Sequence, residues 1–417
     1  MAFNGELWNQ IPLEVIEQIL SFLPMPDLCR YCTTCKTWNG LINNPAFIVL
    51  HVRNRNKHSP FIAIHSITTS IQNRCRVYID GSQVLCFLDI SSKKWYSMKP
   101  RDALQTSFLF DPQSFEIVAM DGGLVLVKVS ERAPKLCHHG SGCRQLYVWN
   151  SIKDTKIKLP CVPNHSHDHS SSLINFVVDD IGETFKVFIM KRYLDSRYEE
   201  VVVGIYDSVM KEWKASNKLE MNNVKTCFIT QSIVFQNLLY IYCEVTNLNP
   251  GLHAHYELWR YNDVADIWER LNFVEGCFVE GDFLINYGVI EQFIVSGESL
   301  FVTYWRVFRN IFEVHEIDIQ NRATKVLLTW TTTQIIKNFD IDVNVRFGNH
   351  SNLYVIGFNK SLLLMSNSSR NIVIFDVETK KTNFEWPQLP LRKLRVENES
   401  YSLMGKQMDF LLPGTLK

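Results

Sequence analysis

The 417-residue chain contains 43 Lys and Arg residues against 43 Asp and Glu residues, so its formal net charge is zero. A neutral chain creates no overall field that attracts nucleic acid or an acidic membrane surface, so we expect neither as a partner and look for local charge instead. The length allows two to four average domains, or a small module followed by one large closed β architecture.

The first fifteen residues, MAFNGELWNQIPLEV, show no basic segment leading into an apolar run, and no apolar run in the chain is long enough to cross a bilayer. Eleven cysteines are scattered mostly inside apolar runs such as QVLCFLDI, a pattern typical of reduced, buried thiols. The sequence therefore predicts a soluble protein of the cytoplasm, the nucleus or both, without disulfides.

Three short helices are predicted before residue 50. In the first, apolar residues recur at helical spacing on one face, at Ile16, Ile19, Leu20 and Leu23. The second is predicted from Leu28 to Cys35 with Asp27 as its N-cap, and the third from about Lys36 to Asn43. Helices this short bury little core alone, so part of their apolar surface needs a partner or the following domain.

Cys29, Cys32 and Cys35 raise the question of a metal or redox site, because they are spaced by three residues. An iron–sulfur run would need a fourth cysteine close behind, but the next one is Cys75. We therefore predict no metal here and interpret the three cysteines as small buried residues that pack under the first helix.

After residue 50 the chain changes to short β-branched and aromatic runs divided by turn residues, as in SIVFQNLLYIYC. Six segments align, each an apolar strand that ends in Asp or Asn before a polar turn. These six turn anchors recur every 55 to 61 residues: Asp89, Asn150, Asp207, Asn262, Asp318 and Asp376. We expect each to accept hydrogen bonds from its own turn. An aromatic residue six to ten positions later is expected to pack on the sheet, at Trp95, Trp213, Trp268 and Trp386.

Six such units resemble a kelch-type β-propeller, and residues 11 to 47 resemble an F-box, with Arg30, Cys35, Lys36 and Trp38 matching its C-K-x-W element. The order of the two parts is similar to that of plant F-box/kelch and F-box-associated proteins. Kelch blades carry a recurrent double glycine, whereas this chain has one such pair, Gly122 and Gly123. The resemblance implies a mainly β fold, with a three-helix F-box at residues 1 to 50 and a propeller of six or possibly seven blades at 51 to 417. Residues 51 to 80 and 391 to 417 are expected to complete one blade together.

Such proteins act as substrate receptors of Skp–cullin–F-box ubiquitin ligases. The resemblance therefore implies a Skp-family adaptor, a cullin bound through it and an unknown substrate protein as partners, with neither a cofactor nor a catalytic residue in this chain. The residues it assigns to adaptor binding are Ile11, Pro12, Ile16, Ile19, Leu20, Leu23, Pro24, Leu28, Lys36 and Trp38.

The loops that precede the anchor-bearing strands are predicted to emerge on one face of the propeller. They carry a local excess of positive charge, and arginine and tyrosine suit an acidic or phosphorylated partner segment. The predicted substrate-binding residues are Arg132, Arg144, Arg192, Tyr193, Arg197, Tyr198, His253, Arg306 and Arg309. The alternative is that these are ordinary solvated loop charges.

Two histidine-rich segments, CHHGSGC (137 to 143) and NHSHDH (164 to 169), lack the usual spacing of zinc ligands. The single strand between them is expected to place their loops on opposite faces, so no metal site is predicted. Asp121, Asp179 and Asp180 are interpreted as turn residues rather than catalytic acids. A scaffold that acts without ubiquitination, or an enzyme built on the propeller, remain the alternative functions.

Overall fold

In a computed structural model, a helical module precedes six antiparallel β-sheets. The structure describes residues 11–23, 25–44, 46–47, 50–51, 54, 61–72, 75–78, 84–90, 92–98, 115–130, 144–150, 155–161, 173–179, 184–194, 199–219, 224–247, 255–271, 288–306, 310–341, 353–366, 369–389 and 399–408. Among the helices within those ranges, none combines the length and the hydropathy that a bilayer-spanning segment requires.

The described part of the helical module contains α1 (Leu13–Leu20), α2 (Met25–Cys32) and α3 (Lys36–Ile42). Pro12 precedes α1, where its fixed φ and missing N–H group are tolerated. Six buried residues form the module's own core: Ile16, Leu20, Leu28, Leu41, Ile42 and Phe47. Asn54 Nδ2 donates to Ser21 Oγ (2.7 Å), so contacts of the module extend to residue 54.

The predicted start of the second helix is wrong. The helix begins at Met25 rather than Leu28, so Asp27 lies inside the first turn and pairs with Arg30 (3.1 Å) instead of capping the end. Pro26 explains the error, because proline stops one helix but is equally well accommodated in the first turn of the next.

Five of the six sheets contain four strands each. The first sheet contains five strands, because a strand near the C-terminal end of the chain joins it. The first sheet contains β1 (Phe61–Gln72), β2 (Cys75–Tyr78), β3 (Val84–Asp89), β4 (Lys94–Met98) and β25 (Glu399–Met408), and the second contains β5 (Phe115–Asp121), β6 (Leu124–Ser130), β7 (Arg144–Asn150) and β8 (Thr155–Lys158). The third contains β9 (Leu173–Val178), β10 (Phe185–Leu194), β11 (Glu199–Asp207) and β12 (Glu212–Ala215).

The remaining three sheets repeat the same up-and-down order. They contain β13 (Val224–Phe235), β14 (Leu238–Asn247), β15 (His255–Asn262) and β16 (Ile267–Leu271); β17 (Gly288–Ser296), β18 (Ser299–Arg306), β19 (Ile311–Asp318) and β20 (Ala323–Thr331); and β21 (Leu353–Phe358), β22 (Ser361–Ser366), β23 (Ile372–Asp376) and β24 (Lys381–Asn383).

One strand from each sheet contacts its counterparts in the two neighbouring sheets, in the cyclic order β5, β9, β13, β17, β21 and β25. Side chains reinforce these contacts: the amide of Gln292 in β17 donates to the Val355 carbonyl (2.8 Å) and accepts from the Val355 N–H (3.0 Å) in β21. Such a cyclic arrangement of four-stranded sheets is a β-propeller.

The expected pairing of the two ends of the propeller is confirmed. β25 pairs antiparallel with β1 from Phe61 opposite Met408 to Ser70 opposite Glu399. The C-terminal segment therefore supplies the innermost strand of the first sheet.

All six predicted turn anchors end the third strand of their sheets. Five of them accept a backbone N–H from their own described turns, as Asp376 Oδ1 does from Thr379 (2.6 Å). In each of these five turns the residue just before the fourth strand is a non-glycine with positive φ: Lys93, Lys211, Asp266, Arg322 and Lys380. The anchor bonds offset the cost of that conformation.

Three of the predicted tryptophans join neighbouring sheets. The indole N–H of each donates to a backbone carbonyl that follows the fourth strand of the preceding sheet: Trp95 to Pro387 (3.0 Å), Trp213 to Pro160 (2.8 Å) and Trp268 to Asn217 (2.9 Å). Trp386 differs from them, because it lies after β24 and its buried indole nitrogen has no hydrogen-bond partner in the described structure.

A helix within the propeller, α4 (Thr332–Phe339), was not expected from the sequence. Thr331 and Gln334 form a capping box at its start, and Ile335 and Phe339 are buried against the sheets. The capping box could have indicated the helix, but eight residues are too few for a clear helical period.

We expect Trp213→Phe to lower the free energy of unfolding by about 1 kcal/mol, because the Pro160 carbonyl loses its donor while the ring's apolar contacts are largely kept. Trp386→Phe is the matched control and should cost less, since its indole N–H makes no hydrogen bond in the described structure. Urea unfolding of both variants checks this, and equal losses would contradict the assigned role of the indole bond.

The turn anchors also predict an acid dependence of stability. The Thr379 N–H lowers the pKa of Asp376, and the Asn321 N–H lowers that of Asp318, so both stabilise the fold above the ordinary carboxyl pKa and lose this effect as pH falls through the lowered values. Replacing both with Asn, as at Asn262, should slightly lower the urea midpoint at neutral pH, because a neutral amide oxygen is a weaker acceptor than a carboxylate. It should also make the fall in midpoint below about pH 4 shallower. An unaltered acid slope would contradict the role of these carboxylates.

Candidate functional site

The first candidate site is the apolar surface of the helical module. Four large apolar side chains on or beside α1 are between 38% and 49% exposed: Leu13, Val15, Ile19 and Phe22. Three of these follow the spacing i, i+4 and i+7, which places Val15, Ile19 and Phe22 on one side of the helix. The core residues Ile16 and Leu20 lie on an adjacent side. The helix therefore has one apolar stripe for its own core and a second one that faces solvent.

The residues assigned to adaptor binding divide between these two surfaces. Ile16, Leu20 and Leu28 are buried in the module's own core, so in this structure they support the exposed stripe rather than form it. Ile11, Leu23 and Trp38 are partly buried against the same core, whereas Pro12, Ile19 and Lys36 are exposed. Pro24 lies outside the described residues.

The sequence interpretation missed Leu13, Val15 and Phe22. The signal was present, since Val15, Ile19 and Phe22 make a second helical stripe beside the first. Two adjacent stripes on one short helix are more apolar surface than a small module can cover.

The expected burial of the cysteine run is wrong for Cys35. This residue is exposed and caps α3, where its Sγ accepts a hydrogen bond from the Trp38 N–H (3.4 Å). Cys32 packs partly buried against the module core, and burial raises its pKa. The six cysteines whose side chains are described are free thiols, and the described residues contain no cluster of three potential metal ligands.

The second candidate site is the end of the propeller where second and third strands are connected. Five such connections join β6 to β7, β10 to β11, β14 to β15, β18 to β19 and β22 to β23, and the alternating strand directions bring all five to one end. Of the predicted residues, Arg144 begins β7, Arg192 and Tyr193 lie in β10, and Arg306 ends β18. Arg132, Arg197, Tyr198, His253 and Arg309 lie outside the described residues.

Arg306 is oriented by two deeper groups. Its Nε donates to Glu313 Oε2 (2.8 Å), and His315 Nε2 lies 3.0 Å from the same oxygen. Exposure of the side chains decreases inward, from 25% at Arg306 to 12% at Glu313 and 8% at His315. The ladder of Arg306, Glu313 and His315 thus runs inward from the exposed end of β18 along β19.

Burial lowers the pKa of His315, although its bond to Glu313 acts in the opposite direction. For Glu313, burial alone would raise the pKa, but the hydrogen bonds from Arg306 and His315 outweigh it and lower the value. The carboxylate therefore stays charged and fixes the guanidinium, whose Nη groups are not used in the bonds described here. An arginine held in this way is preorganised for a carboxylate or phosphate.

The topology corrects the argument about the two histidine-rich segments. Two strands, β7 and β8, separate them instead of one, so both connections leave the same end of the second sheet. The segments themselves lie outside the described residues.

Two of the carboxylates considered as catalytic acids have structural partners. Asp121 Oδ2 accepts from the Val178 N–H of the next sheet (2.9 Å), and Asp179 Oδ2 accepts from Thr184 Oγ1 (3.0 Å). Asp180 lies outside the described residues.

Comparisons with known proteins identify a family for residues 8–49 and a more distant relative over half of the chain. The F-box-like family matches residues 8–49. The putative F-box only protein 15 of Arabidopsis thaliana is 37% identical over 60 residues, which are 14% of this chain and 15% of that protein. An F-box/kelch-repeat protein of the same plant is 22% identical over 213 residues, or 50% of this chain and 52% of that protein. The chain thus spans about half, or much less, of the length of these relatives.

Two solved structures align with most of this chain at low sequence identity. The β-propeller domain of the Trilobed protease from Pyrococcus furiosus aligns with a TM-score of 0.41 at 9% identity, covering 79% of this chain and 83% of that one. A chain of a nidogen/laminin complex aligns with a TM-score of 0.39 at 10% identity, covering 81% and 98%. The assignment of the fold rests on the sheets themselves.

The chain carries an F-box-like domain in residues 8–49, joined to a β-propeller, and its relatives are F-box and F-box/kelch-repeat proteins.

Proposed function

We propose that this chain is the substrate-recognition subunit of a Skp–cullin–F-box E3 ubiquitin ligase, acting in the cytoplasm, the nucleus or both. In this proposal the helical module binds a Skp-family adaptor, the adaptor joins it to a cullin, and the propeller captures the protein to be ubiquitinated. The observation that carries the proposal is the solvent-facing stripe of Val15, Ile19 and Phe22 within a segment that matches the F-box-like family. A small module that leaves such a stripe uncovered is suited to docking.

We further infer that the six sheets are six blades of a kelch-like propeller and that the domains divide near residue 50. The cyclic contacts from β5 to β25 support six blades over seven, because the strand from the C-terminal segment completes the first sheet and none is left over among the described strands. A rigid ring of this kind presents its connecting loops as a recognition surface.

Two alternative functions make different predictions. A scaffold that acts without ubiquitination would not need the exposed stripe on α1, and a propeller enzyme would need a bound ion or turnover that is indifferent to α1. The proposal places catalysis in a recruited conjugating enzyme, so this chain contributes no catalytic residue and no cofactor.

We expect Ile19→Asp combined with Phe22→Asp to reduce co-purification of the Skp-family adaptor at least about tenfold, because charge enters a surface that must be desolvated on binding. Val326→Asp is the control, since Val326 is similarly exposed but lies in β20 of the propeller. Both variants should unfold at the same temperature as the parent chain. Undiminished adaptor binding in the folded double variant would contradict the proposal. Leu20→Asp is unsuitable because Leu20 is in the core.

The finer proposal for the substrate surface is that Arg306 binds an acidic or phosphorylated segment of the captured protein, together with the other predicted residues of that end. The ladder behind Arg306 supports this, because a buried carboxylate and imidazole keep the guanidinium oriented.

Arg306→Glu should therefore deplete the proteins that co-purify with the chain when degradation is blocked, while adaptor recovery stays constant. Arg322→Glu is the control, because Arg322 lies in the turn between β19 and β20 at the opposite end of the sheet. Quantitative mass spectrometry of the captured proteins provides the measurement. An unchanged protein set with Arg306→Glu would favour solvated loop charges instead.

A further inference from the structure

A second arginine is held in the same way as Arg306. In the fourth sheet, Arg270 Nη2 lies 2.8 Å from Glu257 Oε1, and Trp259 Nε1 donates to Glu257 Oε2 (2.8 Å). The side chain of Glu257 is 6% exposed and that of Arg270 is 48% exposed. The carboxylate is therefore buried, while the guanidinium that it holds faces solvent.

Glu257 and Glu313 occupy equivalent positions in neighbouring sheets. Each is the third residue of its third strand and precedes the turn anchor of that strand by five residues. In both sheets, a ring nitrogen of the residue two positions further on lies within hydrogen-bond distance of the glutamate. The two sheets differ in the strand that supplies the arginine, because Arg270 lies in the fourth strand, β16, and Arg306 in the second strand, β18.

The fold does not require a carboxylate at this position. The equivalent residues are Val84 in the first sheet, Gln145 in the second, Val202 in the third and Asn371 in the sixth. A buried ion pair is often no more stabilising than well-packed apolar side chains of similar size, because both charges must be desolvated. Two adjacent sheets therefore keep a costly buried glutamate where the fold accepts valine. What the glutamate adds is the orientation of an arginine.

The topology brings both arginines to one end of the propeller, the recognition end. Arg306 ends β18 at its connection to β19, and Arg270 is the next-to-last residue of β16, which runs toward the same end. Each glutamate lies on the side of its sheet that faces the preceding sheet, because its cross-strand partner, Cys243 or Tyr304, packs there. The two sites are thus one step apart around the ring. Packed sheets lie about 10 Å apart, a distance that roughly three residues of an extended segment span.

Neither guanidinium is used up by its glutamate. Among the described contacts, Arg270 is engaged through Nη2 and Arg306 through Nε, so each keeps further N–H groups for another acceptor. A guanidinium binds a carboxylate or a phosphate through two parallel hydrogen bonds. An arginine that is oriented in advance loses less entropy when it forms them.

We propose that Arg270 is a second binding residue for the captured protein, so that the recognition end binds a segment with two acidic groups at least three residues apart. This inference rests on the proposed function, because it takes the segment bound by Arg306 to belong to the protein captured for ubiquitination. The acidic group is a carboxylate or a phosphate, which share the geometry that a guanidinium recognises.

The test uses three libraries of 12-residue peptides, which carry two phosphoserines, two glutamates or one phosphoserine. The paired residues stand three to six positions apart, and all other positions are random but exclude acidic residues. Fluorescence anisotropy measures their binding to the folded full chain. We expect one of the doubly acidic libraries to bind at least about tenfold more tightly than the singly phosphorylated library, because the second contact forms within a bound peptide. The tighter of the two identifies the acidic group.

Arg270→Gln should reduce this preference to about twofold or less, the statistical advantage of two equivalent groups. Arg270→Lys keeps a cation beside Glu257 but lacks the planar fork, so it should also lose most of the preference, and it provides the test if Arg270→Gln is destabilised. Arg322→Gln is the matched control and should keep the preference. Arg322 is 46% exposed and also lies near a glutamate, Glu269 (3.8 Å), but at the opposite end of the propeller.

Equal affinities for the doubly and singly acidic libraries, or no detectable binding of any library, would overturn the proposal. A preference that persists in folded Arg270→Gln and Arg270→Lys would overturn it as well. Adaptor binding by the same variants separates this result from the proposed function. If the adaptor binds and the preference is absent, the second binding residue is wrong and the ligase role stands. A folded chain that binds no adaptor contradicts the ligase role whatever the peptides do.

Discussion

The pairing of β25 with β1 is the constraint on which the rest of the propeller depends. Ten residue pairs, from Phe61 opposite Met408 to Ser70 opposite Glu399, join the two ends of the domain. Closing a loop of this length costs chain entropy, but the cost grows only slowly with length and is offset by a continuous ladder of backbone bonds. Without β25, the first sheet would lose its innermost strand and the sixth sheet its neighbour in the ring.

Closure separates the propeller into two ends with different physical properties. One end carries the connections between second and third strands, where Arg306 is oriented by Glu313 and His315. The other carries short turns that the anchors make rigid through bonds to their own backbone. The two ends of the propeller therefore differ in the chemistry of their described side chains, and the stripe on α1 is a further exposed surface.

Local interactions explain what could be predicted from the sequence. An anchor such as Asp376 accepts a hydrogen bond from a residue three positions away, so a short stretch of sequence is enough to predict its role. The regular spacing of the anchors then indicates the repeat. Trp213 was predicted to pack on its sheet, but its acceptor Pro160 is 53 residues away and was not predictable. The same reason applies to Arg306, whose charge was visible in the sequence while its partner Glu313 depends on the register of β18 and β19. Sequence patterns failed where one residue fits two structures, as Pro26 does, or where a segment is as short as α4.

A substrate receptor of the proposed kind must bind an adaptor through the exposed stripe on α1 while its closed propeller remains free to capture a target. The most direct measurement is the binding isotherm of the purified full chain with a purified Skp-family adaptor, followed by amide exchange across residues 13 to 22. We expect a saturable one-to-one complex with slowed exchange in α1 and unchanged exchange in the propeller strands. A cooperatively folded chain that binds no adaptor, or that protects propeller strands instead of α1, would contradict it.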